Sequence, residues 1–201
     1  MKRRGFSFIE LMIVVSIISV LAAIAVPNYV EAQVRTKVVR AKSDMRAVVI
    51  SLEQYRLDNN VYPPAAELGN PSAAVATGTG PIYEGMLPPN FTTPIAYIHP
   101  LPRDPFPPLA DGFGESPLNS FHYLDRKSAE ARGEMTLFDD YHEACFGRTN
   151  SGSSFWVLSV GPDLHHDRNL TGPELPVAIY DATNGTVSSG DLYYFQGTGL
   201  Q

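Results

Sequence analysis

The sequence predicts an α+β chain: one long N-terminal helix whose second half packs on a small antiparallel β-sheet. Three observations carry this. From Phe6 to Val26 every residue but Glu10 is apolar or small. An apolar stripe at helical period follows, from Val34 to Tyr55. Runs of β-branched and aromatic residues bounded by turn formers then cluster from residue 120 onward. The 201 residues accommodate one ordinary domain plus an appendage, and 16 Gly with 17 Pro imply a loop-rich body. The chain divides into a basic leader (1–5), an apolar helix (6–26), an amphipathic continuation (27–60) and a head (61–201).

The apolar run comes first. Twenty-one residues in a helix reach about 32 Å, enough for a bilayer core. Lys2, Arg3 and Arg4 precede it, which keeps the amino terminus cytoplasmic and sends the rest outward. Glu10 is the anomaly, because a charge at mid-bilayer costs roughly 2.5–3.5 kcal/mol. A cleaved secretory signal ending near Ala23-Ile24-Ala25 would be long for its type and would hold a carboxylate inside its apolar region. A plain membrane anchor accounts for the length and leaves Glu10 unexplained.

Pro27 removes a backbone donor and is expected to kink or locally melt the helix. Beyond it, Val34, Val38, Ala41, Met45, Val48, Leu52 and Tyr55 recur at alternating spacings of four and three, while Arg35, Lys37, Arg40, Lys42, Asp44, Arg46 and Glu53 take the other faces. The stripe suits packing against a sheet, and it also fits a two-stranded coiled coil. Asp58-Asn59-Asn60 ahead of "YPP" ends the helix near Asp58.

In the head, "GNPSAAVATGTGP" (69–81) reads as a surface loop. In "TTPIAYIHPLPRDPF" (92–106), Thr93 suits a cap, Pro94 a first helical position and Pro100 the end of one helical turn. Asp104, before a proline, favours a fixed turn. Strands are expected over 120–124, 154–160, 177–181 and 192–196. The segment 181–191, with Asn184-Gly185, reads as an extended hairpin tip between the last two.

Charge and composition exclude several functions. The formal charge is −6, and without the three leader cations the balance is 12 basic against 21 acidic side chains, or −9. That argues against nucleic acid or anionic lipid as a partner. Cys145, the lone cysteine, cannot form an intramolecular disulfide and says nothing of redox compartment. His142 three residues before it suggests neither a zinc site nor a nucleophile pair, because no second ligand element accompanies it. No phosphate-binding loop or nucleophile elbow is visible, and no enzyme is expected. The one candidate metal site is "SVGPDLHHDRN" (159–169). Asp163 and Asp167 follow a predicted strand and the Gly161-Pro162 turn, and with nearby carbonyls they supply part of a calcium shell. Capping of local turns is the competing role for both aspartates. His165 and His166 are poor calcium ligands, and adjacent on a strand they would face opposite ways.

"GFSFIE" (5–10) and the run "FSFIELMIVVSIISVLAAIAVPNY" closely resemble the class III signal of type IV pilins and type II secretion pseudopilins. The resemblance implies cleavage by a prepilin peptidase after Gly5, N-methylation of the new terminus at Phe6, and a register-setting role for Glu10. It further implies homopolymerisation with other pseudopilins, dependence on an inner-membrane assembly platform and an assembly ATPase, and a single-pass inner-membrane protein with its head in the periplasm before it enters a filament. "SLEQYRLDNNVYPP" (51–64) and "LPRDPF" (101–106) are similar to elements of the major pseudopilin group, whose calcium loop Asp163 and Asp167 resemble in position. The histidines depart from that loop's glycine-rich form. A type IV pilin for adhesion, motility or DNA uptake is the near alternative. A membrane-anchored binding module or enzyme acting as a monomer is the distant one.

Overall fold

The computed structural model describes residues 7–67, 70–74, 87–88, 91, 95–106, 121–133, 135, 138–139, 142–143, 152–165, 178–184, 188–197 and 199–200. Helix α1 spans Phe8–Asn59 and is followed by β1 (Ala66–Glu67), β2 (Asn70–Ala74), β3 (His122–Asp125), α2 (Arg126–Arg132), β4 (Phe155–Ser159), a 3-10 turn (Ala182–Asn184), β5 (Leu192–Phe195) and β6 (Gly199–Leu200). Two compact units divide the chain, Met1–Thr36 and Lys37–Gln201.

Helix α1 continues through Pro27, so the expected local melting does not occur. Its end falls one residue past the expected point. Asn60 takes a left-handed conformation (φ 58°) and donates its N–H to the Arg56 carbonyl at 2.7 Å, an asparagine stop that needs no glycine. In the second unit α1 buries Val38, Ala41, Met45, Val48, Val49, Ser51 and Leu52, five of them members of the predicted stripe, while Val34 and Tyr55 are half-buried. The apolar ones from Val38 to Leu52 join one core with the strands, with Tyr55 packed against it, so this part of the stripe serves its own head.

The main sheet runs β3-β4-β5-β6, antiparallel throughout. Register pairs Tyr123 with Val157 and Val157 with Tyr194. Every residue of β4 is buried, so both faces of the sheet are covered. Alternation puts Phe155, Val157 and Ser159 on one face. There Phe155 meets Tyr62 edge-on at 4.8 Å, and the Tyr62 hydroxyl bonds Glu53 and Arg56 of α1, so this face is the one toward α1. On the other face Phe195 packs against Phe138 and His142. The cross-strand pairs Tyr123–Val157, Val157–Tyr194 and Trp156–Phe195 contribute about 0.2–1 kcal/mol each relative to alanine pairs.

Polar bonds then lock loops onto this frame. Asp125 caps α2 by accepting the Ser128 N–H at 3.0 Å and, with its other oxygen, accepts the Ala65 N–H at 2.8 Å. Gly133 (φ 72°) closes α2 in the left-handed form that its lack of a Cβ permits. The Tyr123 hydroxyl donates to the Pro63 carbonyl at 2.7 Å. Tyr97 joins the end of α1 by donating to Asp58 at 3.1 Å.

Four expectations are corrected. The described residues 178–181 of the expected strand 177–181 do not form one: Ile179 makes only an isolated parallel bridge to Asp191. Asp181 captures the Thr183 N–H and hydroxyl, both at 2.8 Å, which starts the 3-10 turn and ends any extension, and these bonds hold its carboxyl below the usual range. Because that bridge is parallel, the ends of 181–191 do not close an antiparallel hairpin, and residues 185–187 lie outside the described residues. The supposed loop at 69–81 contains β2, paired with β1. Residues 95–100 are bends, not a helical turn, and Thr93 and Pro94 lie outside the described residues.

Asp104 does fix a turn, and it does so in the core. Its Oδ1 accepts the Phe106 N–H and the Ser159 hydroxyl, both at 2.9 Å, on the α1 side of the sheet. Burial pushes its carboxyl up to about 7 despite those two bonds, and the Asp44 charge on α1 adds to the rise. Because the folded form holds the proton more tightly than the unfolded form, whose value is 3.8, this group favours the fold most fully below about pH 4. The benefit drains away as pH climbs to about 7. A gap of about three pH units, at roughly 1.4 kcal/mol each, corresponds to something on the order of 4 kcal/mol. Asp104→Asn keeps the acceptor and removes the charge. In thermal melts of a fragment beginning at Pro27 it is expected to exceed the wild type at pH 8, with the difference closing toward pH 4. A constant difference across that range would refute the account.

Candidate assembly helix and head loop

The first part of α1 covers none of its apolar surface within the chain. Phe8 is 75% exposed, Leu21 62% and Ile24 63%, and none of the most apolar 18-residue window is buried. By length and composition this helix suffices to cross a membrane. Its polar side chains are handled internally. Ser16 and Ser19 donate to the carbonyls of Met12 and Val15, four residues back, at 2.8 Å each. Hydroxyls paired in this way tolerate an apolar solvent.

Glu10 lies in the first turn of α1, where its carboxylate accepts the Ser7 N–H at 2.8 Å. Ser7 stands just before the helix and Glu10 is three residues on, the spacing of a capping box. The carboxylate also faces the positive end of the helix dipole. The S-x-x-E signal was present in "SFIE" and escaped the sequence reading because the apolar run dominated it. Gly5 and Phe6 lie outside the described residues.

The loop after β4 holds Asp163. Gly161 (φ 78°) opens it, and the Leu164 N–H reaches back to the Gly161 carbonyl at 3.3 Å. A Cβ on Gly161 would stand 2.5 Å from the Gly190 carbonyl oxygen, so glycine is required for this close approach. Asp163 accepts the His165 N–H at 3.2 Å, and the His165 ring Nδ1 lies 2.8 Å from the Asp163 carbonyl oxygen. Asp163 thus caps its own turn. His166 and Asp167, its proposed companion, lie outside the described residues, as does Cys145. His142 is buried edge-on against Phe195 at 5.1 Å, an aromatic core position. Among the described residues no three His, Cys, Asp or Glu side chains converge as a metal cluster. One acidic residue near the loop went unnoticed in the sequence. Asp191 is fully buried, accepts the Tyr193 hydroxyl at 2.9 Å, and adjoins the Gly161–Gly190 contact. Its place at the head of β5 gives no local signal of this proximity.

The comparisons with known proteins bear on the N-terminal helix and on the family of the chain. Residues 1–26 match the family model of the prokaryotic N-terminal methylation motif. The type II secretion system core protein G of Klebsiella pneumoniae is 32% identical over 110 residues, 52% of this chain and 70% of that protein. Its counterpart from Pseudomonas aeruginosa is 44% identical over 66 residues, 31% of this chain and 46% of that protein. The type IV major pilin protein PilA of Myxococcus xanthus is 42% identical over 69 residues, 34% of this chain and 31% of that protein. Against several of these relatives the chain spans half their length or less. No solved structure matches it. With a methylation motif over its first 26 residues, a long apolar helix, an α+β head, and similarity reaching across most of the Klebsiella protein, the chain belongs to the type II secretion core protein G family of pilin-like proteins.

Proposed function

We propose that the chain is a structural subunit of a type II secretion pseudopilus. In this reading the precursor enters the inner membrane with its head in the periplasm, is cut after Gly5 by a prepilin peptidase, and polymerises through its apolar helix with the help of an assembly platform and ATPase. No catalysis is assigned to the head. The observation that carries the reading is the coincidence of the methylation motif with a helix none of whose most apolar window is buried. A type IV pilin is the second reading, favoured by the Myxococcus relative. Similarity to that pilin covers 34% of this chain, against 52% for the Klebsiella pseudopilin, which supports the first. Mass spectrometry of the mature terminus is expected to find methylated Phe6. An intact Met1, or a terminus at Val26, would overturn both.

Cleavage would leave a cationic amine on Phe6, one residue before the Ser7 N–H that Glu10 caps. The carboxylate then has two competing roles, helix cap and partner of an amine on a neighbouring copy. Removing one member of a buried pair costs about 3–5 kcal/mol, whereas loss of a cap costs about 0.5–2 kcal/mol. Glu10→Gln keeps a capping acceptor and loses the charge. We expect it to be processed normally and to fall out of filaments as fully as Glu10→Ala. If Glu10→Gln assembled at wild-type levels, capping would be the whole role.

Calcium at the 159–169 loop is proposed on the donor chemistry of Asp163 and Asp167 with neighbouring carbonyls, hard oxygen ligands on a strand-end turn. Bound ion would order the loop and stabilise the head according to its free concentration. The melting temperature of the fragment beginning at Pro27 should rise with millimolar calcium, and Asp163→Ala should abolish the rise. An unchanged wild-type melt would exclude the site.

A further inference from the structure

The loop after β4 and the segment before β5 touch backbone to backbone. The β4–β5 ladder ends with Ser159 opposite Leu192. Two residues further on each strand, that register sets Gly161 opposite Gly190, and glycine on both sides lets the chains close in. A Cβ on Gly161 would stand 2.5 Å from the Gly190 carbonyl oxygen. Gly190 (φ 119°) is approached as closely by a third segment: its own Cβ would stand 2.5 Å from the Ile179 carbonyl carbon and 2.6 Å from the Tyr180 nitrogen. Asp191 spends both backbone groups on that segment, donating to the Ala178 carbonyl at 2.9 Å and accepting the Tyr180 N–H at 3.0 Å. Residues 161, 190 and 179 thus meet with no room for a side chain between them.

Such a contact transmits position. A side chain between two segments absorbs a shift by changing rotamer, whereas backbone at this distance has no such freedom. The shape of the loop is enforced as well. Leu164 holds a left-handed conformation (φ 63°), uncommon for a residue with a Cβ, and its N–H reaches back to the Gly161 carbonyl. Past the stack the chain emerges at residues 181–183, which are exposed and braced by the bonds of Thr183 to Asp181.

We propose that the segment 178–184 is a calcium-responsive surface element of the head: an ion held at Asp163 fixes the loop 161–165, and the glycine stack passes that order on. The inference rests on the calcium reading of the loop. The donor chemistry fits that ion, because Asp163 is half-buried on the loop and offers a hard carboxylate oxygen. Gly161, two residues before Asp163, ties this ligand to the stack. Opening of 178–184 then requires release of the ion. Its backbone N–H groups exchange with solvent more slowly as calcium rises, by a factor of one plus the ratio of free ion to dissociation constant.

Hydrogen exchange read by mass spectrometry on the full chain in detergent micelles tests this. At calcium about ten times its dissociation constant, peptides covering 161–165 and 178–184 are expected to slow together, by about elevenfold. The Gly133 turn that closes α2 keeps its rate. Asp163→Ala is expected to abolish both changes. Gly190→Ala puts a Cβ against Ile179 and leaves Asp163 in place, so slowing should persist at 161–165 and vanish at 178–184. If that variant does not fold, the wild type and Asp163→Ala decide alone. Slowing confined to 161–165 in the wild type would overturn the coupling and leave the calcium reading standing. Slowing at 178–184 that survives Asp163→Ala would also overturn it, because the ion then acts elsewhere. No slowing at millimolar calcium would remove the calcium reading and this inference with it.

Discussion

An apolar helix that covers none of its own surface cannot remain in water, and this constraint governs the molecule. Each fully buried Val, Leu or Ile is worth roughly 1.5–3 kcal/mol, and the stretch from Phe8 to Val30 exposes more than a dozen large apolar side chains. Something outside the chain must cover them, either lipid or other helices of the same kind. The details of this helix suit both. The serine hydroxyls are satisfied within the helix backbone, and Glu10 is held at the helix start, where water or a cation is nearest.

The head solves the opposite problem. Its own surface is closed around a sheet so narrow that each face needs a cover. The second half of α1 supplies one cover, and aromatic groups from the segment after α2 help to supply the other. Loops are fastened by carboxylates that spend their acceptors on backbone N–H groups: Asp104 on Phe106, Asp125 on Ala65 and Ser128, Asp181 on Thr183. Asp104 and Asp125 are buried braces and Asp181 fixes an exposed turn, in a domain rich in proline and glycine where regular ladders are short.

The elements legible in the sequence were those with a long period or a dense hydrophobic run. The stripe from Val38 to Leu52 is a helix face, and "FWVLS" and "LYYF" are strands, because burial on one or both sides selects such residues whatever the tertiary context. Helix α2 was missed although "DRKSAEARG" offers an aspartate cap and a closing glycine. Only seven residues long, it has no visible period. The segment 177–181 was misread because β-branched residues favour extension, while the decision was taken by Asp181 and by Gly190, whose absent Cβ lets Ile179 approach. At the candidate sites, residue types announced Glu10 and Asp163, yet both also serve as local caps, a role set by three-residue and two-residue spacings. A cavity lined by Arg56 and Arg126 had no sequence signature, since those residues are seventy apart and come together only through the fold.

Sheet edges complete the picture. The outer strands β3 and β6 have four and two residues, and the longest strand of this sheet has five. Cross-β stacking recruits segments of about six or seven residues with unpaired backbone along an edge. Among the described residues no strand of the head reaches that length. In the filament we propose, copies would add through their helices, and among the described residues ladder growth from head to head finds little edge to extend.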